Sequence, residues 1–306
     1  MENIDTRTGF CPSCNKELRV PSELEAFSCM YCGEALTPDT LCSSASVFDE
    51  SALDDVKARI AGCVLDNCDI MNKFNRSSYL SSFKEYRERY KPLFTALNDC
   101  YTAACADDRD EIVNGAVKSF LDGVAKHAAG EPKRAMAIDS LRFVVALYFV
   151  PMVRSLKLNV SEPFCFALRD KWAAAYPKFK FEVGSYESIV EGFNKKFLGL
   201  CFITTAVCEH SGKPDDCYEL TAFRGFRDGY LASSEGGGAL IDEYYEIAPA
   251  IVTCIGLFGE GDEVYPMLRE KYLAPCLDDI ENGRLDACRS RYVEMVRALR
   301  RRYLGQ

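Results

Sequence analysis

The sequence predicts a mainly α-helical protein opened by a small zinc ribbon, and three observations lead there. Two C-x-x-C pairs stand within the first 33 residues. Beyond residue 50 the apolar residues recur at helical spacing. The chain has 306 residues and is 48% hydrophobic, which suffices for a genuine core in one large or two ordinary domains.

Residues 1–36 form the ribbon. Cys11 and Cys14 make one hook and Cys29 and Cys32 the other, fourteen residues later. Two thiolates two residues apart grip one tetrahedral ion from a tight turn, and the second hook closes a four-sulfur shell suited to structural Zn2+. Pro12 shapes the first turn, Gly33 lets the chain curl behind the second, and Leu18, Val20 and Phe27 belong to short strands between them. Lys16, Arg19, Phe10 and Tyr31 offer a small basic-aromatic surface, but Glu17, Glu23, Glu25 and Glu34 cancel its charge. A protein partner or docking within the chain therefore fits the ribbon better than nucleic acid.

A linker at 37–49, rich in Ser, Thr and Ala, leads into a helical body at 50–200. Helical periodicity marks residues 54–74, 79–106 with Pro92 kinking or dividing the element, and 112–128. A fourth helix is expected from Pro132 through Val153. Its apolar run, residues 143–153, lies between Arg142 and Arg154 and falls short of the roughly 20 residues of a spanning helix, so it reads as a core helix and no membrane contact is expected. Cys63 and Cys68, like Cys100 and Cys105, are five apart and off a shared helical face, which suits core thiols. A short helix around Trp172, a strand at 179–183 and a helix at 186–197 follow. Ser185 caps that last helix, Ser188 stands where a capping box places an acid, and Lys195 and Lys196 suit the dipole at its end.

The region 201–306 is a third part, expected to share a core with the body. Residues 201–207 are apolar and short enough to be strand or helix. Residues 211–214 break the chain, and Asp216 with Glu219 resembles an N-cap pair for a helix from Cys217 to about Leu231, on which Arg224 and Asp228 stand one turn apart. Residues 235–238, EGGG, read as a hinge, since neither a preceding strand nor a Lys-Ser/Thr ending supports a phosphate loop. Another helix runs over 240–255 with Pro249 inside it. The tail at 284–306 carries seven arginines against Asp286 and Glu294, with Val293, Val296, Leu299 and Leu304 on an apolar side. It reads as a surface helix docked on an acidic body; an acidic partner or nucleic acid is the other use of such charge.

The series Cys201, Phe202, Ile203, Thr204, Thr205, Ala206, then Cys217, Leu220, Arg224, Phe226, Arg227 and Asp228, with Ile241, Tyr244, Tyr245 and Pro249 beyond, resembles the CFI-box family of bacterial C-terminal domains. The likeness covers residues 201 to about 256, and the pairing with an N-terminal ribbon is similar too. It implies a fold and no reaction. Cys208 and His210 depart from the family pattern.

Net charge is −9 with pI near 5.0, which repels phosphate polymers and anionic lipid. The N-terminal stretch MENIDTRTGF lacks a basic-then-apolar leader, so the sixteen cysteines are expected as thiols in a reducing cytoplasm. Two functions compete. In the first the protein binds a partner through the ribbon and a helical cleft near residues 201–228, with the cysteines packed and the Arg/Asp group an ion cluster. In the second it is a thiol-dependent hydrolase or self-processing module: Cys201 attacks, activated by His210 or by the arginines, Thr204 or Thr205 helps to bind an oxyanion, and Arg224 or Arg227 holds a carboxylate or developing negative charge, with Asp228 in the same site. A second metal site at Cys201, Cys208, His210 and Cys217, and a redox pair Cys201–Cys217, are further alternatives.

Overall fold

The computed structural model describes residues 5–14, 16–41, 48–104, 106–194 and 201–304. It is mainly α-helical with two small two-stranded sheets near the N-terminus. Strand β1 (Thr6–Phe10) pairs antiparallel with β2 (Glu17–Pro21), Phe10 opposite Glu17, and β3 (Phe27–Ser28) pairs with β4 (Ala35–Leu36). Alternation along β2 turns Leu18 and Val20 inward, where with Leu36, Leu41, Cys11, Cys14 and Cys29 they form the small core of this segment.

The chain divides into two compact units. The first comprises Met1–Asp66, Glu88–Ala137 and Val153–Ala175; the second comprises Asn67–Arg87, Ile138–Met152 and Tyr176–Gln306. Helix α1 (Glu50–Arg59) begins at Asp49, whose carboxylate accepts the Ser51 and Ala52 amides at 2.9 and 3.1 Å. The single helix expected over 54–74 is instead α1, the short α2 (Gly62–Leu65) and a 3-10 segment Cys68–Lys73. Gly62 and Asn67, both weak helix residues, sit at the breaks. Helix α3 (Tyr79–Ala103) runs through Pro92 without dividing. Helix α4 (Ala106–Gly130) buries Val113, Ala116, Val117, Phe120 and Val124. Cys63 and Cys100 are buried, Cys68 is exposed, and Cys105 lies outside the described residues.

The expected fourth helix starts two residues after Pro132. Helix α5 (Arg134–Val144), a π-helical turn Val145–Phe149 and α6 (Val150–Ser155) form one run of 22 residues. By length and composition it could cross a bilayer, so the length argument from residues 143–153 fails; 78% of its most apolar window is nevertheless buried inside the protein. Helix α7 (Ser161–Ala175) carries buried Trp172 and packs on α4.

In the second unit Phe74, Tyr79, Tyr148 and Phe193 gather edge to face, and Phe83 stacks on Tyr186 at 4.3 Å. The buried hydroxyls are satisfied: Tyr79 donates to the Leu147 carbonyl at 2.8 Å, and Tyr148 meets Ser82 at 2.9 Å. The strand expected at 179–183 does not form: the segment bends at Phe179, whose amide bonds the Tyr176 carbonyl, and its Glu182 amide bonds the Leu257 carbonyl. Helix α8 (Tyr186–Asn194) does begin with a capping box, Ser188 taking the acid's place: its amide donates to Ser185 Oγ and its hydroxyl accepts the Ser185 amide. Lys195 and Lys196 lie outside the described residues.

The remaining helices are α9 (Phe202–His210), α10 (Tyr218–Gly225) continued by a π-helical turn Phe226–Leu231, α11 (Gly237–Leu257), α12 (Gly261–Leu268) continued by a π-helical turn Arg269–Leu273, α13 (Ala274–Glu281) and α14 (Leu285–Leu304). Helix α11 packs on α8, α9 and α14, and runs on through Pro249. Of the residues expected as a hinge, Gly237 and Gly238 belong to α11 itself. Gly236 holds φ +69, and Gly237 opens α11 so close to the Leu231 carbonyl that a Cβ there would lie 1.8 Å from its oxygen.

One buried cation ties this unit together and was visible in sequence only as the edge of an apolar run. Arg142, 5% exposed, pairs with Asp139 at 2.7 Å and Glu260 at 3.2 Å, and lies 3.9 Å over the Phe258 ring. Glu260 also accepts Arg302 at 2.8 Å and the Tyr303 hydroxyl at 2.6 Å. Burial raises the Asp139 carboxyl above its usual range despite the Arg142 charge.

Candidate functional site

Two places hold chemistry. The first is the four-cysteine group of the N-terminal segment. The Cys11 amide bonds the Lys16 carbonyl at 2.9 Å and the Cys29 amide the Glu34 carbonyl at 2.8 Å, so each hook is a tight turn. Gly33 closes the second turn at φ +78, where a side chain would be strained. The ligand atoms of Cys11, Cys14, Cys29 and Cys32 all lie within 4.8 Å of one another and could hold a metal ion. Cys32 is the exposed member, while Met30 and Tyr31 beside it stand 75% and 59% exposed.

The second place is a cleft of about 70 Å³ around Cys201 in the C-terminal part. Its walls are Phe223 of α10, Phe226 and Arg227 of the π-helical turn, Tyr244 and Ile247 of α11, and Tyr292 of α14. The apolar run resolves as helix from Phe202 onward. Cys201 immediately precedes α9, its carbonyl accepting the Thr205 amide at 2.7 Å, and is 5% exposed. Burial pushes its thiol up to about 11, outweighing the pull of Arg227 and Arg224 in the other direction. At neutral pH the sulfur is therefore a thiol, the weaker nucleophile.

The other predicted residues do not gather at one site. Arg227 grips Asp228 with Nε at 2.7 Å and Nη2 at 2.8 Å, and donates from Nη1 to the Tyr245 hydroxyl at 3.0 Å. That pairing raises the Arg227 pKa and lowers that of Asp228. Arg224 turns instead to Asp215, bonding its carboxylate at 2.6 Å and its carbonyl at 2.8 Å. The expected Arg224–Asp228 pair thus does not form. The reason is the π-helical turn, whose i→i+5 winding takes residue 228 out of the i,i+4 alignment that an α-helix would keep.

His210 stands at the far end of α9, nine positions from Cys201 and so about 13 Å along the axis. Its Nε2 is 3.6 Å from Asp262 and its ring 5.3 Å from Tyr265, so it is not placed as base to Cys201. Thr204 meets the Tyr292 hydroxyl at 3.2 Å at the cleft, but Thr205 lines a separate depression with Ser188, Glu191 and Glu209. Its buried hydroxyl has no partner among the described residues.

Cys217 neighbours Cys208 rather than Cys201, because the turn after α9 doubles back with the Lys213 amide on the Cys208 carbonyl at 2.9 Å. Burial, reinforced by Cys217, pushes the Cys208 thiol up to about 12. Among the described residues only Cys11, Cys14, Cys29 and Cys32 assemble as a metal-ligand group, so Cys201, Cys208, His210 and Cys217 do not. The helix expected from Cys217 starts at Tyr218, with Cys217 rather than Asp216 at the cap position, and Glu219 is drawn to Lys213.

Sequence reasoning missed Tyr292, whose hydroxyl reaches Tyr244 at 3.4 Å while Tyr244 accepts the Ile203 amide at 2.9 Å. Its helical spacing to Val296 would have placed it on the apolar side of the tail. No protein family, curated protein or solved structure matches the chain in comparisons with known proteins.

Proposed function

We propose that the protein is a binding protein: a zinc-bearing ribbon presents a surface to a protein partner, and the cleft around Cys201 accepts a ligand. The observation that carries the reading is the state of Cys201, a buried and protonated thiol in an apolar cleft, with His210 at the opposite end of its helix. A thiol enzyme needs an accessible sulfur that ionises near neutrality. Zinc is the metal we assign to the ribbon. Four sulfurs at a zinc–sulfur bond of about 2.3 Å form a tetrahedron with edges of about 3.8 Å. The Cys11–Cys32 and Cys14–Cys29 sulfur separations of 3.8 and 3.6 Å support that assignment. A closed thiolate shell leaves no position for substrate, so the ion's part is structural. Met30 and Tyr31, both exposed on the second hook, favour a protein over nucleic acid as the ribbon's partner. The CFI-box resemblance of residues 201–256 fits this reading, since it brings a fold without a reaction.

The test is alkylation of each cysteine in the folded, zinc-loaded protein as a function of pH, read residue by residue by mass spectrometry. Cys201 should stay unlabelled until the protein unfolds. Rapid labelling with an apparent pKa well below the usual 8.5 or so would replace this reading with the thiol enzyme.

A further inference from the structure

The cleft does not end at its apolar walls. Leu240, Val293 and Arg297 also border an open depression on the outer side, together with Arg289, Arg301 and Glu294. Apolar floor and charged mouth are therefore continuous. The mouth holds three arginines against one carboxylate, in a molecule whose net charge is −9.

The arginines of α14 divide into two groups. Arg291 binds Asp279, Arg300 binds Glu243 and Arg302 binds Glu260, so their charge is spent inside the fold. Arg289 donates to the Glu235 carbonyl at 3.0 Å and lies beside the Tyr230 hydroxyl, with no ion pair of its own among the described residues. Arg297 and Arg301 make no ion pair among the described residues, and both are exposed. They stand four positions apart on α14, hence on one face. An arginine fork matches a carboxylate in shape and charge.

We propose that the cleft binds a small amphipathic carboxylate, its apolar tail between Phe223, Tyr244 and Tyr292 and its carboxylate on Arg297 and Arg301. The inference rests on the binding-protein reading and names its ligand class. The arginines act as an anion subsite. Cys201, protonated and buried, contributes an apolar wall.

The experiment is calorimetric titration of the zinc-loaded full chain with butanoate, hexanoate and octanoate, and with hexanol as the uncharged probe. Affinity should rise about fourfold for each added methylene until the cleft is full, the gain expected for burying one such group. Hexanol should bind about five times more weakly than hexanoate. The double variant R297Q/R301Q should lose about five- to tenfold for hexanoate, as expected for two partly exposed ion pairs, and nothing for hexanol. Its circular dichroism should match the parent, since both side chains are exposed. Equal binding of hexanol and hexanoate, an unaffected double variant, or no heat from millimolar octanoate would each overturn the proposal. Absence of octanoate binding with Cys201 still inert removes this ligand class alone, whereas rapid alkylation of Cys201 removes the binding-protein reading itself.

Discussion

If the four cysteines hold a metal, as proposed, stripping it should unfold residues 5–41 and leave the helices standing. The core of this segment contains only four aliphatic side chains, Leu18, Val20, Leu36 and Leu41, with three of the four clustered cysteines. Full burial of those four contributes about 8 kcal/mol at roughly 2 kcal/mol each. Segments of about 40 residues rarely hold a fold on that alone. A structural zinc site contributes about 10–16 kcal/mol at neutral pH, more than the whole apolar core. The perturbation is a strong chelator, or Cys14→Ser at a fully buried ligand position. The assay is limited proteolysis with mass spectrometry, run beside far-ultraviolet circular dichroism. Cleavage should appear throughout residues 5–41, and the helical signal should barely change because this segment contains no α-helix. Added zinc should restore resistance in the chelated protein and not in the variant. Persistent protease resistance after verified metal loss would show that the segment folds on its own side chains, and the structural role of the metal would be withdrawn.

Four further perturbations probe the second unit. Arg142→Met should cost about 3 kcal/mol, the lower end for breaking a buried pair because Glu260 keeps Arg302 and Tyr303; calorimetry should show a melting temperature lower by roughly 6–12 °C. Tyr244→Phe strips the Ile203 amide of its acceptor, so a loss of about 1–3 kcal/mol in urea titrations is expected. Gly237→Ala forces a methyl against the Leu231 carbonyl and should destabilise more than the same change at Gly238, whose surroundings are open; a thermal melt compares them. Lys213 holds the Glu219 carboxyl below its usual range, so its contribution is present above about pH 4.5 and is lost as pH falls through the lowered value. Glu219→Gln should therefore be less stable than the parent at pH 7 and equal to it near pH 2, as urea midpoints would reveal; a constant offset would refute the pairing.

The four-cysteine group was legible because its constraint is local: two hooks fourteen residues apart bring the four sulfurs together within one segment. Helices α3, α4, α11 and α14 were legible because periodicity survives over 20 residues or more. Two features of the C-terminal part were not. Nothing in single-sequence periodicity distinguishes an α-helix from one with a π-helical turn, so the partners of Arg224 and Asp228 were mispaired. The glycines at 236–238 show the limit of composition: the same residue type marks flexibility or close packing, and only the Leu231 carbonyl decides which. Cys201 was found from its company of polar and cationic residues, but whether burial or positive charge governs its thiol depends on walls drawn from α10, α11 and α14, far apart in sequence.

The π-helical turn at Phe226–Leu231 also makes length a variable that this cleft wall feels. Each helical residue turns the following side chains by about 100°. Deleting one residue here, Gly229 for instance, would remove the extra residue the wide turn holds and let the segment relax to ordinary helix, whereas deleting one from α10 just before it would swing everything after it by more than a quarter turn. Leu231 would leave the cleft, and its carbonyl would leave Gly237. Substitutions in this wall change a side chain at a time; a gain or loss of one codon would redraw the wall, so related chains that keep the cleft should keep the residue count between Cys217 and Gly237.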